Sequence, residues 1–180
     1  MRLRVFGGSQ GGARLYAGLP AAIGELPAAL RPAVLHQTGK HNFEETVQAY
    51  RSRGIEADVR PFIDDMASAY GWADLAVCRS GALTVTELAA AGVPAILVPF
   101  PAAVDDHQTR NAQYAVHAGA AKRLPEGDLT PISLAALLRT LLEAGRPLLS
   151  RMAVAARASA IVDADERLAD ACLQAAGEAA

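Results

Sequence analysis

Short apolar runs alternate with longer segments of helical character along the whole chain. The runs fall at residues 3–6, 33–36, 57–60, 75–78, 94–98 and 121–124. At that length, and bounded by turn residues, they read as strands. The run 94–98 is apolar almost throughout, as a parallel strand covered on both faces is. Helices are expected between the runs. One spans about 13–19 and resumes after Pro20. A second covers 42–53, with Asn42 or His41 as its cap, and a short third runs through Tyr70 with Asp64 as its cap. A fourth opens near Ala82 and ends at Gly92, a residue suited to a left-handed stop. A fifth opens at Asp105 or Asp106 and runs to about Ala118. Thr130-Pro131 starts a sixth, with proline in the first helical position. Residues 148–176 form an Ala-rich helical stretch. Some six strand–helix alternations with short loops predict an α/β fold: a doubly wound, mostly parallel, Rossmann-like sheet of about six strands.

Composition narrows the class. The chain has 180 residues, one domain's worth; 52% are hydrophobic but only 5% aromatic, so the core is built from Ala, Leu and Val. Net charge is -2 with Lys and Arg scattered, and no basic stripe points to nucleic acid. Cys78 and Cys172 lack metal-ligand spacing and fit a reducing compartment. The N-terminus has no signal-peptide pattern. The most apolar run, 89–104, is interrupted by Pro94, Pro99 and Pro101, which argues against a membrane span.

In doubly wound sheets ligands bind at the carboxyl ends of the strands. Four notable loops fall there: residues 7–12, 62–65, 79–87 and 100–108. The third is Cys78-Arg79-Ser80-Gly81-Ala82-Leu83-Thr84-Val85-Thr86-Glu87, a small-residue turn running into a helix. Free N–H groups and the helix dipole at such a start favour a phosphate. Glu87, over a turn further in, is placed to accept from a pair of hydroxyls. Thr84-x-x-Glu87 also fits a capping box, in which Glu87 only satisfies backbone donors. The fourth loop brings Asp106, His107 and Gln108 to a helix start, a set that can bond adjacent sugar hydroxyls. It equally fits an Asp cap with solvated neighbours.

The Gly-rich loop Gly7-Gly8-Ser9-Gln10-Gly11-Gly12 is not the dinucleotide fingerprint. Ser9 stands at the second glycine, and no acidic residue closes the second strand, where His36-Gln37-Thr38-Gly39-Lys40 lies. Gly39-Lys40 lacks the Ser or Thr of a Walker loop. Gly7 to Gly11 does fit G-x-S-x-G, the nucleophile elbow of serine hydrolases, with His107 or His117 as base. Against it, nothing precedes this first strand to supply a second oxyanion donor.

Five motifs then occur in order: Gly7-Gly8-Ser9-Gln10-Gly11, His36-Gln37-Thr38-Gly39, Phe62-Ile63-Asp64-Asp65-Met66, the 78–87 stretch, and Asp106-His107-Gln108-Thr109-x-Asn111-Ala112. Together they resemble the C-terminal half of the bacterial N-acetylglucosaminyltransferases that form lipid II. The resemblance covers nearly the whole chain and implies one half of a glycosyltransferase B fold. Residues 1–180 would be a single UDP-GlcNAc donor-binding domain, with about 148–180 as C-terminal helices. It implies Ser9 near the diphosphate, and Ile63 against the uracil, partly through its backbone. Ala82, Leu83 and Thr84 would offer the helix start to the phosphates, with Val85 and Thr86 in the same motif. Glu87 would hold the ribose hydroxyls, and His107 and Gln108 would face the GlcNAc. Gly12 makes the first loop one residue longer than the commoner form. No catalytic residue is expected in this chain. The N-terminal half, absent here, would carry the base and bind the undecaprenyl-linked muramoyl-pentapeptide. The implied enzyme is cytoplasmic and peripheral at the inner face of the plasma membrane. Neither metal nor cofactor is expected. A second reading, of another class, is a non-catalytic nucleotide-sugar-binding subunit that works with a separate acceptor subunit.

Overall fold

Side-chain alternation along the first strand sets the two sides of the molecule. In a computed structural model describing residues 1–7 and 12–178, strand β1 (Arg2–Phe6) turns Leu3 and Val5 into one core. Phe6 lies in a second core across the sheet, and Arg4 is stacked with it at 4.5 Å. The other strands are β2 (Ala33–Gln37), β3 (Asp58–Arg60), β4 (Leu75–Cys78), β5 (Ala95–Leu97) and β6 (Ala121–Arg123). The sheet order is β3-β2-β1-β4-β5-β6, with every pairing parallel. This is the doubly wound, Rossmann-like arrangement expected.

Helices α1 (Ala13–Gly24), α2 (Phe43–Arg51) and α6 (Pro131–Ala158) cover the face lined by Leu3, Val5, Leu75, Val77 and Ile96. Helices α3 (Met66–Trp72), α4 (Ala82–Ala91) and α5 (His107–His117) cover the other, over Phe6, Ala76, Cys78, Ala95 and Leu97. Helix α7 (Ala164–Glu178) follows a break and is exposed along its described side chains. Both outer strands are three residues long and carry charge: Asp58 and Arg60 in β3, Lys122 and Arg123 in β6.

Several helix ends differ from expectation. Pro20 does not interrupt α1, because Leu19, Ala22 and Ile23 beside it are fully buried and hold the helix against the sheet. The cap of α3 is Asp65, whose Oδ1 accepts from Ser68 N at 2.9 Å, not Asp64. Asn42 precedes α2 but donates its amide to Thr38 O at 3.1 Å instead of capping. The C-terminal stretch is not one helix. α6 begins at the Thr130–Ser133 capping box, kinks at Gly145 (φ 66) ahead of Pro147, and stops at Ala158 before α7 starts.

Candidate functional site

Strand β1 lies between β2 and β4, with Phe6 paired to Gln37 on one side and Cys78 on the other. The chain winds outward through β2 and β3, then crosses back to β4. The segments leaving β1 and β4 therefore diverge, which opens the crevice where such sheets take their ligands. Ser9 and its loop, residues 8–11, lie outside the described residues. The loop's two ends are described and are held close. Gly7 N donates to Tyr16 Oη at 2.9 Å. A Cβ on Gly7 would sit 2.6 Å from Gly12 Cα, and one on Gly12 would overlap the Tyr16 ring. The extra glycine is thus the residue that opens α1, at a point where a side chain does not fit.

Helix α4 follows β4, the neighbour of β1. Its N-cap is Gly81 (φ -59, ψ 151), and no side chain caps it. Val85 N bonds Gly81 O at 3.0 Å, and among the described residues no side chain accepts from the amides of the first turn, which point along the helix axis away from its body. Ala82 and Leu83 are exposed and Thr84 half-buried. The side chain of Val85 is in the core, while Thr86 Oγ1 turns back to Ala82 O and Leu83 O at 3.0 and 2.9 Å. The capping-box alternative fails: with Gly81 as cap, Thr84 is the third residue of the helix and Glu87 lies a turn beyond reach. Glu87 instead accepts from Tyr70 Oη at 2.7 Å. Sequence reasoning missed Tyr70, and also Arg4 behind it, although an arginine inside a strand run was a visible signal.

Gln108 ties two loops together. Its Oε1 accepts from Ser80 N (3.3 Å) and Phe100 N (3.0 Å), while Ser80 Oγ donates to Gln108 O at 2.8 Å. Asn111 Nδ2 adds a bond to Ser80 O at 3.0 Å. With its carbonyl oxygen so engaged, Gln108 has its amide donors left for a ligand. His107 is exposed at the first residue of α5. The Asp-cap alternative is not met: neither Asp105 (φ 52) nor Asp106 (φ 51) forms a side-chain cap, and both are held in the left-handed region. For non-glycine residues that costs about 1–2 kcal/mol each.

Below this loop Arg79 makes a buried ion pair with Glu126 at 2.5 Å and donates to Val98 O and Pro99 O at 3.2 and 3.3 Å. Arg14 reaches the same carboxylate at 3.5 Å. The 78–87 turn, the 99–108 loop and α1 are thereby fastened to one another. Nothing in the sequence around Glu126 signalled this, because its partners come from distant segments. Ile63 is buried with Leu35 and Ala69. A groove of about 490 Å³ runs beside it, with Phe62 and Trp72 at its walls. Cys78 is fully buried, and burial pushes its thiol up to about 12. Among the described residues no group of three or more His, Cys, Asp or Glu is placed to hold a metal ion. None of their helices is long and apolar enough to cross a membrane.

Comparison with known proteins gives one consistent result. The model of the glycosyltransferase family 28 C-terminal domain matches residues 2–168. A relative from Chromohalobacter salexigens is 55% identical over 97% of this chain and 48% of its own length. One from Marinobacter nauticus is 53% identical over 98% and 48%. Both are named UDP-N-acetylglucosamine--N-acetylmuramyl-(pentapeptide) pyrophosphoryl-undecaprenol N-acetylglucosamine transferase. The chain thus spans about half the length of the curated relatives it matches. The crystal structure of Acinetobacter baumannii MurG superposes with a TM-score of 0.89 at 42% identity, over 97% of this chain and 52% of that one. The calicheamicin glycosyltransferase CalG4 is similar in fold alone, with a TM-score of 0.66 at 21% identity. These matches do not favour the hydrolase reading of Ser9. The chain belongs to the glycosyltransferase family 28 C-terminal domain family.

Proposed function

We propose that this chain is the donor-binding half of an inverting N-acetylglucosaminyltransferase that converts lipid I to lipid II, with UDP-GlcNAc as its ligand. The observation that carries the reading is the uncapped start of α4 at the switch point, with Glu87 one turn further in, in a chain whose relatives bear that enzyme's name. On this reading residues 1–180 form one donor domain. The acceptor domain, which binds the undecaprenyl-linked muramoyl-pentapeptide, is a separate half of the protein. The whole enzyme works at the cytoplasmic face of the plasma membrane.

In the reaction the acceptor C4 hydroxyl attacks the anomeric carbon and UDP leaves, while a base in the other half takes the hydroxyl proton. Negative charge grows on the leaving diphosphate. The outward amides of Ala82, Leu83 and Thr84, aided by the helix dipole, stabilise it, together with the loop around Ser9. Val85 and Thr86 contribute by holding that turn. Glu87 accepts from the ribose hydroxyls, Ile63 meets the uracil, partly through its backbone, and His107 and Gln108 bond the sugar. The diphosphate charge is met by the protein, with no metal or cofactor.

Isothermal titration of the chain with UDP-GlcNAc, UDP, UDP-GalNAc and NAD, in EDTA, tests this. UDP-GlcNAc and UDP should bind and NAD should not. Glu87→Ala and Gln108→Ala should each weaken UDP-GlcNAc about 10-fold or more, as expected for a lost hydrogen bond to a charged or buried partner. Absence of binding to any uridine nucleotide, with the N-terminal half of a close relative added back, would overturn the reading.

A further inference from the structure

Glu87 is held by a short relay that starts inside the sheet. Arg4 is fully buried on β1, and its guanidinium lies 4.1 Å from the centre of the Tyr70 ring and 4.5 Å from that of Phe6. Its other contacts are weak acceptors for a buried cation: Met66 Sδ at 2.9 Å and Met66 O at 3.4 Å. The Nε of Arg4 has no partner among the described residues. A buried charge with so little direct compensation draws on whatever negative potential is near. Here that is the face of the Tyr70 ring and, past its hydroxyl, the carboxylate of Glu87. A cation over the ring polarises the phenol and makes its O–H a better donor. Burial first, and then the Glu87 contacts, raise the phenol's pKa against the opposing pull of Arg4, so the hydroxyl keeps its proton and donates it to the carboxylate. The bond uses one oxygen, Oε2, and restrains the rotation of the carboxylate, leaving Oε1 for a ligand.

We infer that Tyr70, backed by Arg4, is the positioning residue for Glu87, setting the carboxylate in the orientation that recognises a vicinal diol. This rests on the donor-site reading above, in which Glu87 meets the ribose. It assigns ribose discrimination to a residue on a different helix, one that touches no ligand itself.

Tyr70→Phe removes only the hydroxyl, since the ring still packs edge-on to Phe6 (5.9 Å) and under Arg4. The measurement is the ratio of affinities for UDP and 2′-deoxy-UDP, taken by titration in wild type, Tyr70→Phe, Glu87→Ala and the double variant. A structural role would weaken both nucleotides by the same factor. A positioning role narrows the ratio, by about threefold or more for the loss of one charge-assisted bond, and has no further effect in the Glu87→Ala background. An unchanged ratio in Tyr70→Phe, or a narrowing that persists in the double variant relative to Glu87→Ala, overturns the inference and leaves the donor site standing. If wild type binds UDP but does not distinguish the deoxy form, Glu87 does not hold the ribose and the inference falls with that assignment. If it binds neither, even with the N-terminal half of a relative added, the donor reading itself has failed.

Discussion

His36 sits fully buried at the end of β2, its Nδ1 3.0 Å from the Tyr50 hydroxyl and its ring edge-on to Tyr16. Burial holds its pKa down to about 3. Unfolded, it would titrate near 6.5. Between those values the unfolded chain binds the extra proton, so stability is full above about 6.5 and falls as pH drops toward 3, by up to ~1.4 kcal/mol per pH unit. His36→Asn should be less stable than wild type at pH 7 yet lack this component. Urea midpoints of the two proteins should therefore converge between pH 7 and pH 5; parallel curves would locate the acid sensitivity elsewhere. The same residue shows what was legible at this scale. His36 was read as part of a motif, but Tyr50 and Tyr16, which make its environment, lie on two helices that no local pattern connects to it. Glu87 and Gln108 stand out in the sequence because each lies within the first two turns of a helix that follows a strand. Tyr70, Arg4 and Glu126 do not, because each matters through a partner far away in the chain.

Helix boundaries depended on which signals were local. The stop at Gly92 is as expected, with φ 66 and its N–H bonded to Ala89 O at 3.0 Å. Thr130-Pro131 likewise starts α6. Pro20 misled because tertiary burial of α1 outweighs one missing backbone bond. Thr84-x-x-Glu87 misled because a capping pattern has meaning only once the cap residue is known. Gly12 belongs at this scale too. It is the joint between the loop and α1, and its φ of -81 needs no glycine. What demands glycine is the Tyr16 ring above it. Gly12→Ala should cost about 1–3 kcal/mol, as overpacking does, and should weaken UDP binding as well, since the loop end must lift from Tyr16. Thermal melts and titration together check this. An alanine variant with wild-type melting temperature would mean that the ring yields freely.

At the scale of the molecule, alternation of strand and helix was enough to give the layers and the parallel sheet. It could not give the strand order, because six similar runs carry no label of their neighbours. The order decides where the crevice opens, between β1 and β4. It also decides that β3 and β6 stand at the margins. Asp58 and Arg60 form an exposed ion pair at 2.6 Å along β3. Such a pair contributes only about 0–1 kcal/mol, so Asp58→Val with Arg60→Val should barely move the denaturation midpoint. The double variant should nevertheless associate with time, seen by light scattering, because an apolar strand with unpaired backbone is a template for another chain. If it remains as dispersed as wild type, the charges are not what guards that margin. A parallel sheet bounded by two short charged strands has little to offer another sheet. That is a colloidal property more than a structural one: it governs how concentrated a solution of this chain can be held, and for how long, while a nucleotide is titrated into it.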